Sequence, residues 1–416
     1  MMVTRFLSIF LLFLTVLPAR ADWIAESNKY AMQVLHGMAV YYPEFASGQG
    51  LSEYDTGVMD LNPEVYTRQQ ASSRQLLTQM REQLAQTEHP KVRQDLAILI
   101  QSLSDRLETE RIQRDYMLPF INVHQDLFSS FKSLLDPRND ANRYPSALVR
   151  LRKYNGTAQG FTPVSTLARA RTEERFTVKS LVGPYQAELE GELANAPRYV
   201  AGIRSLFEDS GLTGWEQDLA LLEEQLAAYA EFIETGLLPR ARTDKLLPAA
   251  VYADNLRNYG VRATPESLIE DGQSAYQFIR SEMKALARRI AEQRGWEDRR
   301  LVPVMLKLKE EQVAQDEILD LYKRRLATIE GIIRRENIIS LPDREASIRL
   351  ATEAEAAALP ASFMSPPQLL NNTGQLGEFV LVQSNPTLKG DAKMDDWGHD
   401  AITWALTVHE ARPGHE

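Results

Sequence analysis

The chain has 416 residues, 44% hydrophobic and 25% charged, with no cysteine and a formal net charge of −10. These proportions are ordinary for a globular protein and exclude disorder, collagen-like fibres and a disulfide scaffold. The acidic balance also argues against nucleic acid as a partner, because its phosphate backbone calls for clustered Lys and Arg.

Residues 1–21 read as an export signal. Arg5 supplies a positive start, Phe6 to Leu17 form an apolar run, Pro18 breaks it, and Ala19-Arg20-Ala21 fits a small-x-small cleavage site. Cleavage is therefore expected after Ala21. The run is shorter than the roughly 20 apolar residues of a spanning helix, and no cysteine follows it to carry a lipid. The expectation is an exported, periplasmic chain that is soluble and free of the membrane once cleaved; the competing reading is an uncleaved anchor.

The body, residues 22–336, reads as helices. Residues 23–40 form the first. Tyr41 to Asp55, with Pro43, Gly48 and Gly50, is expected as a loop. Asn62-Pro63-Glu64 has the order of a cap, a first-turn proline and a first-turn acid. Leu76, Met80 and Leu84 follow on one stripe. His89-Pro90 ends that helix and opens another, where Val92, Leu96, Leu99, Leu103 and Leu107 step at the helical period. Two antiparallel helices joined by a tight turn are expected. Residues 120–180 are less regular, and helices resume over 188–196, 198–210 and from Trp215. Thr264-Pro265-Glu266 is another start signal, followed by a stripe through Leu268, Gly272, Ala275, Ile279, Met283, Leu286 and Ile290. Residues 301–336 are expected as one long helix with solvated charged faces.

Residues 337–416 change in texture. Ile338 to Leu341, Ser347 to Ala351 and Glu378 to Gln383 are β-like runs separated by turn residues, which predicts a small sheet. The last run is expected as a core strand, or else as an edge to which an extended peptide could add. A polar loop follows, and then a helix capped by Asp395 or Asp396 that carries AITWALTVHEARPGHE. The fold class is thus mostly α, a bundle-like helical body with a small sheet before the final helix.

Three of the six histidines, His399, His409 and His415, lie in the last 18 residues. His409-Glu410 follows the apolar stretch Ala405 to Val408, so the pair is expected on a buried helix. A neutral imidazole can bind zinc, and a neighbouring glutamate can accept the proton of an attacking water. Two such histidines usually stand four residues apart, on one helical face. Here they stand six apart, which on an unbroken helix means about 240° of rotation and roughly 9 Å of rise. Pro413-Gly414 could end the helix and bend His415 back toward His409; without that bend the pair cannot share a metal. His399 reads as a helix-start residue, roughly 15 Å along the helix from His409. His36, His89 and His124 read as structural.

HEARPGHE resembles the H-E-A-x-P-G-H signature of the bacterial family called domain of unknown function 885. Similar stretches include Tyr41 to Asp55, Thr264-Pro265-Glu266 with Gly272 and Met283, and the Pro-rich and strand segments before the motif. The resemblance covers most of residues 30–416. It implies a mostly helical, zincin-like fold and an exported, zinc-dependent peptidase acting on peptide or peptide-like substrates. Carried over, His409 and His415 would be metal ligands and Glu410 the general base. Members often carry a second histidine where this chain has Glu416, which makes Glu416 a candidate ligand. The resemblance also implies a further region beyond the motif that supplies an acidic third ligand, so the chain is expected to be part of a longer protein. The alternative is a non-catalytic periplasmic binding or scaffold protein whose helical body does the work.

Overall fold

The computed structural model describes residues 23–383 and 398–415, and the expected signal segment with its cleavage site at Ala21 lies outside them. Among the described residues there are fifteen α-helices and three short strands. The protein is therefore mostly helical with a small sheet near its C-terminal end. No helix among the described residues is long and apolar enough to cross a membrane.

The chain forms two compact units, Met1–Met38 with Tyr66–Glu108, and Ala39–Val65 with Thr109–Glu416. The first contains α1 (Trp23–Ala39) up to Met38, α3 (Val65–Gln86) from Tyr66 and most of α4 (Pro90–Tyr116), while α2 (Pro43–Gly48) belongs to the second. In the first unit Tyr30 and Val34 of α1 meet Leu76, Leu77 and Met80 of α3 and Val92, Leu96 and Leu103 of α4 in one apolar core. This is the stripe that the helical periodicity predicts.

Two local expectations fail in this region. Tyr41 to Asp55 is not a plain loop, because Pro43 opens α2 with its preset φ and Ser52–Tyr54 adds a 3-10 turn. The helix expected from Asn62 starts at Val65, and Glu64 before it has a left-handed φ of 59°.

The second unit has a large helical core. It is built from α5 (Val123–Leu134), α6 (Pro145–Tyr154), α7 (Val164–Glu173), α8 (Gln186–Asp209) and α9 (Glu216–Phe232). Phe131 of α5, Phe207 of α8 and Trp215 at the start of α9 stack edge to face and tilted at its centre. His124 is buried there and structural, as expected: its Nδ1 lies 2.7 Å from Glu192 Oε1 and its Nε2 3.1 Å from the Leu226 carbonyl. The runs expected at 188–196 and 198–210 are one helix, α8, continuous through Pro197.

Next come α10 (Ala249–Asn258) and α11 (Pro265–Arg294). Thr264 caps α11 as predicted, its hydroxyl accepting from Ser267 N. The α11 stripe is only partly covered. Ala287 and Ala291 pack on Val304 of α12 (Leu301–Lys309), whereas Ile269, Tyr276, Ile279, Met283 and Leu286 are exposed. The long helix expected over 301–336 is broken into α12 and α13 (Ile318–Glu336). The chain between them turns aside to pair with the segment before the last helix, with Val313 N donating to the Gly398 carbonyl at 2.8 Å.

The sheet has the order β1 (Ser347–Leu350), β3 (Glu378–Leu381), β2 (Phe363–Ser365), parallel on one side and antiparallel on the other. Ile338 to Leu341 is not a strand; it follows the α13 cap at Asn337, the Ile338 N–H closes back on the Ile333 carbonyl at 3.1 Å, and Ile338 and Ile339 are exposed. Its place is taken by β2, which the Pro366-Pro367 pair disguises in the sequence. β3 is the central strand and not an edge, so strand addition to it is excluded.

Side chains alternate across the sheet. Ile348, Phe379 and Leu381 point to one face and form a core with Ile318, Tyr322 and Leu326 of α13, Leu406 of α15 (Asp400–Glu410) and Ala411 just after it. The other face carries Arg349 and Glu378, which pair at 2.9 Å. A short helix, α14 (Glu353–Ala358), starts there with a reciprocal cap between Thr352 and Glu355.

Glu355 is the hub of that second face. It accepts from both Arg349 Nη atoms at 2.9 and 2.8 Å, from Thr352 N at 2.9 Å, and pairs with Lys132 Nζ at 2.7 Å. Burial alone would push its carboxyl up, but these donors outweigh burial and hold it down at about 2, against an ordinary 4.5. A depressed carboxyl stabilises the fold above its unfolded pKa and loses that contribution as pH falls through the folded value. Glu355→Gln is therefore expected to lose about 2 kcal/mol at pH 7. The difference from the wild type should shrink as pH drops from 4.5 toward 2. Urea titrations at pH 7, 4 and 3 measure it; a constant difference across that range contradicts the assignment.

Candidate metal centre

α15 lies over the sheet because its apolar side, with Leu406, is buried against α13 and β3. Thr403 and Thr407 are buried on the same side, their hydroxyls satisfied by helix carbonyls of Asp400 and Thr403. His399 is the N-cap residue, far from the other end of the helix as expected. Asp395 and Asp396, expected as caps, lie outside the described residues.

The helix ends at Glu410 for a reason visible in the sequence. A helical residue 413 would donate its N–H to the carbonyl of residue 409, but Pro413 has no N–H and its ring excludes a continued helix. Ala411 leaves the helical region, with φ −109° and ψ −110°. The His409 carbonyl is then taken by the backbone N–H of His415, at 3.0 Å. Gly414 makes this reversal sterically possible, since a Cβ there would collide with the carbonyl oxygens of His409 and Val408. The Arg412–Pro413 peptide is cis.

The turn brings His415 back beside His409. Their Nε2 atoms are 3.3 Å apart and the rings stand edge to face, with centroids at 4.8 Å. The Glu410 carboxylate faces both, 3.7 Å from His409 Nε2 and 4.0 Å from His415 Nε2. One ligand atom from each of the three residues falls within 4.8 Å of the others. Two nitrogens bonded to one tetrahedral zinc at about 2.05 Å lie about 3.3 Å from each other, so the histidine spacing is that of a metal-binding pair.

Burial is the reverse of the expectation for His409. The two imidazole side chains are 67% and 56% exposed, whereas Glu410 is 8% exposed. His409 and Glu410 are adjacent, so they point about 100° apart around the helix axis; the helix buries the glutamate side and leaves His409 near the rim. Among the described residues no donor hydrogen-bonds to the Glu410 carboxylate. A carboxylate with little contact to solvent needs a cation or a proton close by, and the two imidazoles beside it are donors that suit zinc. Glu416 lies outside the described residues.

One residue of the motif that sequence reasoning passed over is Arg412. It is 1% exposed, and its Nη1 donates to Glu330 Oε1 on α13 at 2.6 Å. The sequence offers no signal for a pair formed across 82 residues. At the other end of α15, Arg325 of α13 pairs with Asp400 and stacks its guanidinium over Trp404, 4.2 Å from the ring centroid. α13 therefore holds both ends of the motif helix.

Fold and site together define a predominantly helical protein with a His-Glu and His cluster where a sheet-packed helix reverses. The chain belongs to the family described as bacterial protein of unknown function (DUF885), matched over residues 43–416. It is similar in fold to two solved structures. One is a "putative lipoprotein of unknown function" from Shewanella oneidensis, 14% identical, with a TM-score of 0.62 over 95% of this chain and 71% of that one. The other is a "putative lipoprotein" from Colwellia psychrerythraea, also 14% identical, with a TM-score of 0.67 over 95% and 72%. No curated protein matches the chain.

Proposed function

We propose that this is an exported, zinc-dependent peptidase. The observation that carries the reading is the 3.3 Å separation of His409 and His415 Nε2 with the Glu410 carboxylate beside them. His409 and His415 would hold the metal, with Glu416 as a candidate further ligand. Zinc bound there supplies a Lewis acid that polarises a scissile carbonyl and acidifies water. Glu410 then acts as general base, taking the proton of the attacking water and delivering it to the leaving amine. Export draws on residues 1–21 and on the lipoprotein descriptions of the two structural neighbours.

The first test is metal content. Purified wild-type protein is expected to carry about one zinc per chain, and His409→Ala to carry almost none. Equal zinc in both proteins removes the assignment. A second reading, a non-catalytic helical binding protein, draws on the exposed apolar stripe of α11; it predicts no zinc in either protein.

A further inference from the structure

We propose that Glu330 is a positioning residue for the His409, Glu410 and His415 cluster, acting through Arg412. Its consequence for metal rests on the reading above; its geometry does not. Arg412 sits between the residue that ends α15 and the proline that starts the reversal, so its side chain decides where the turn lies. That side chain is 1% exposed. A guanidinium cannot shed its charge, so taking it out of water requires fixed acceptors. Glu330 supplies one, with its own side chain 14% exposed and its Oε1 2.6 Å from Arg412 Nη1. The partner is also anchored: Glu330 lies on α13 between Ile329 and Ile333, which are buried, and its other oxygen takes Arg334 at 3.1 Å.

The consequence follows along the turn. Arg412, Pro413 and Gly414 connect Ala411 to His415, and the reversal is closed by the His415 N–H on the His409 carbonyl. Pinning Arg412 to α13 holds the first residue of this bridge, and Gly414 leaves no room for the last to shift toward the helix. The backbone of His415 is thereby held beside His409, within reach for the two Nε2 atoms to meet at 3.3 Å. Without the Glu330 contact, the buried arginine loses one of the acceptors that hold it, and the turn loosens. Glu330 thus helps to hold the turn that brings the two ligand atoms together, without touching either.

The experiment compares wild type, Glu330→Gln, Arg412→Met and the double variant, with Glu336→Gln on the same helix as control. Glu336 pairs with Arg335 at the surface, and its replacement is expected to change nothing. Two readouts are taken after thermal melting shows the proteins folded. In metal-free protein, hydrogen exchange of the His415 amide reports whether the reversal is closed. With zinc, competition against a chelator reports affinity. Glu330→Gln is expected to speed exchange at His415 and to weaken zinc about 10–100-fold, the usual size of an outer-shell loss. Because Glu330 acts through Arg412, adding Glu330→Gln to Arg412→Met should cause no further loss. Wild-type exchange and affinity in folded Glu330→Gln overturn the proposal. If the wild type binds no zinc, the metal reading falls, and the exchange comparison alone still decides the role of Glu330. Should Glu330→Gln fail to fold, Arg412→Met, which removes the buried charge instead of stranding it, carries the same two outcomes.

Discussion

Glu410→Gln is expected to reduce peptide hydrolysis by about 10²–10⁴-fold, the range over which a positioned general base acts. Gln keeps the size of the side chain and its ability to hydrogen-bond, but its amide cannot accept a proton at neutral pH. The position supports this role better than that of either histidine. Glu410 is buried at the foot of the cluster, and its oxygens face both Nε2 atoms from beyond hydrogen-bonding distance. The carboxylate is thus near the proposed metal position without being occupied by a protein donor among the described residues. Zinc content should change little, because both imidazoles remain. Activity toward a quenched-fluorescence peptide library and zinc stoichiometry measure the two halves of this expectation. Full activity in Glu410→Gln would remove the glutamate from the chemistry. Loss of zinc together with activity would make it a ligand instead of a base.

Gly414→Ala should be nearly as damaging, by a steric route. The added methyl would strike the backbone oxygens of both His409 and Val408. Backbone of a helix end cannot step aside as a long side chain can, so the turn itself must move. Metal–ligand distances tolerate only about 0.2 Å, and a displaced His415 would leave a single imidazole. Zinc affinity is expected to fall by at least about 100-fold, since losing a ligand exceeds the 10–100-fold loss of an outer-shell partner. The turn carries little of the core, so the melting temperature of metal-free protein should shift by no more than a few degrees. Chelator competition and a calorimetric scan separate these effects. Wild-type affinity in Gly414→Ala would mean that the reversal seen here is not the metal-binding conformation.

Much of this site is legible in the sequence because its determinants are local. Pro413 ends the helix whatever surrounds it, since the missing N–H belongs to the residue itself. The freed His409 carbonyl and the glycine at 414 then make the return of His415 sterically possible. The helical stripes through Leu76, Met80, Val92, Leu96 and Leu103 are legible for the same reason: period and packing agree, and all of them meet in one core.

Other features are set by partners distant in the chain. Ile338 to Leu341 has the composition of a strand, yet a strand exists only when another offers its backbone, and here that place goes to Phe363–Ser365. The stripe on α11 has a strong period, but period says only that one face is apolar and not that something covers it. The break between α12 and α13 arises because residues 312 and 313 pair with the segment before α15, which no propensity reports.

By itself the sequence determined a mostly helical chain, the starts of α1, α4, α9 and α11, and a proline-glycine bend between two histidines. These follow from dihedral restrictions and side-chain period, which act within a few residues. Tertiary structure alone decided that the histidines are exposed while Glu410 is buried, that β3 is central, and that Glu330 holds Arg412. Each depends on which surfaces meet across tens of residues, and burial and charge pairing are properties of that meeting and not of any short stretch of chain.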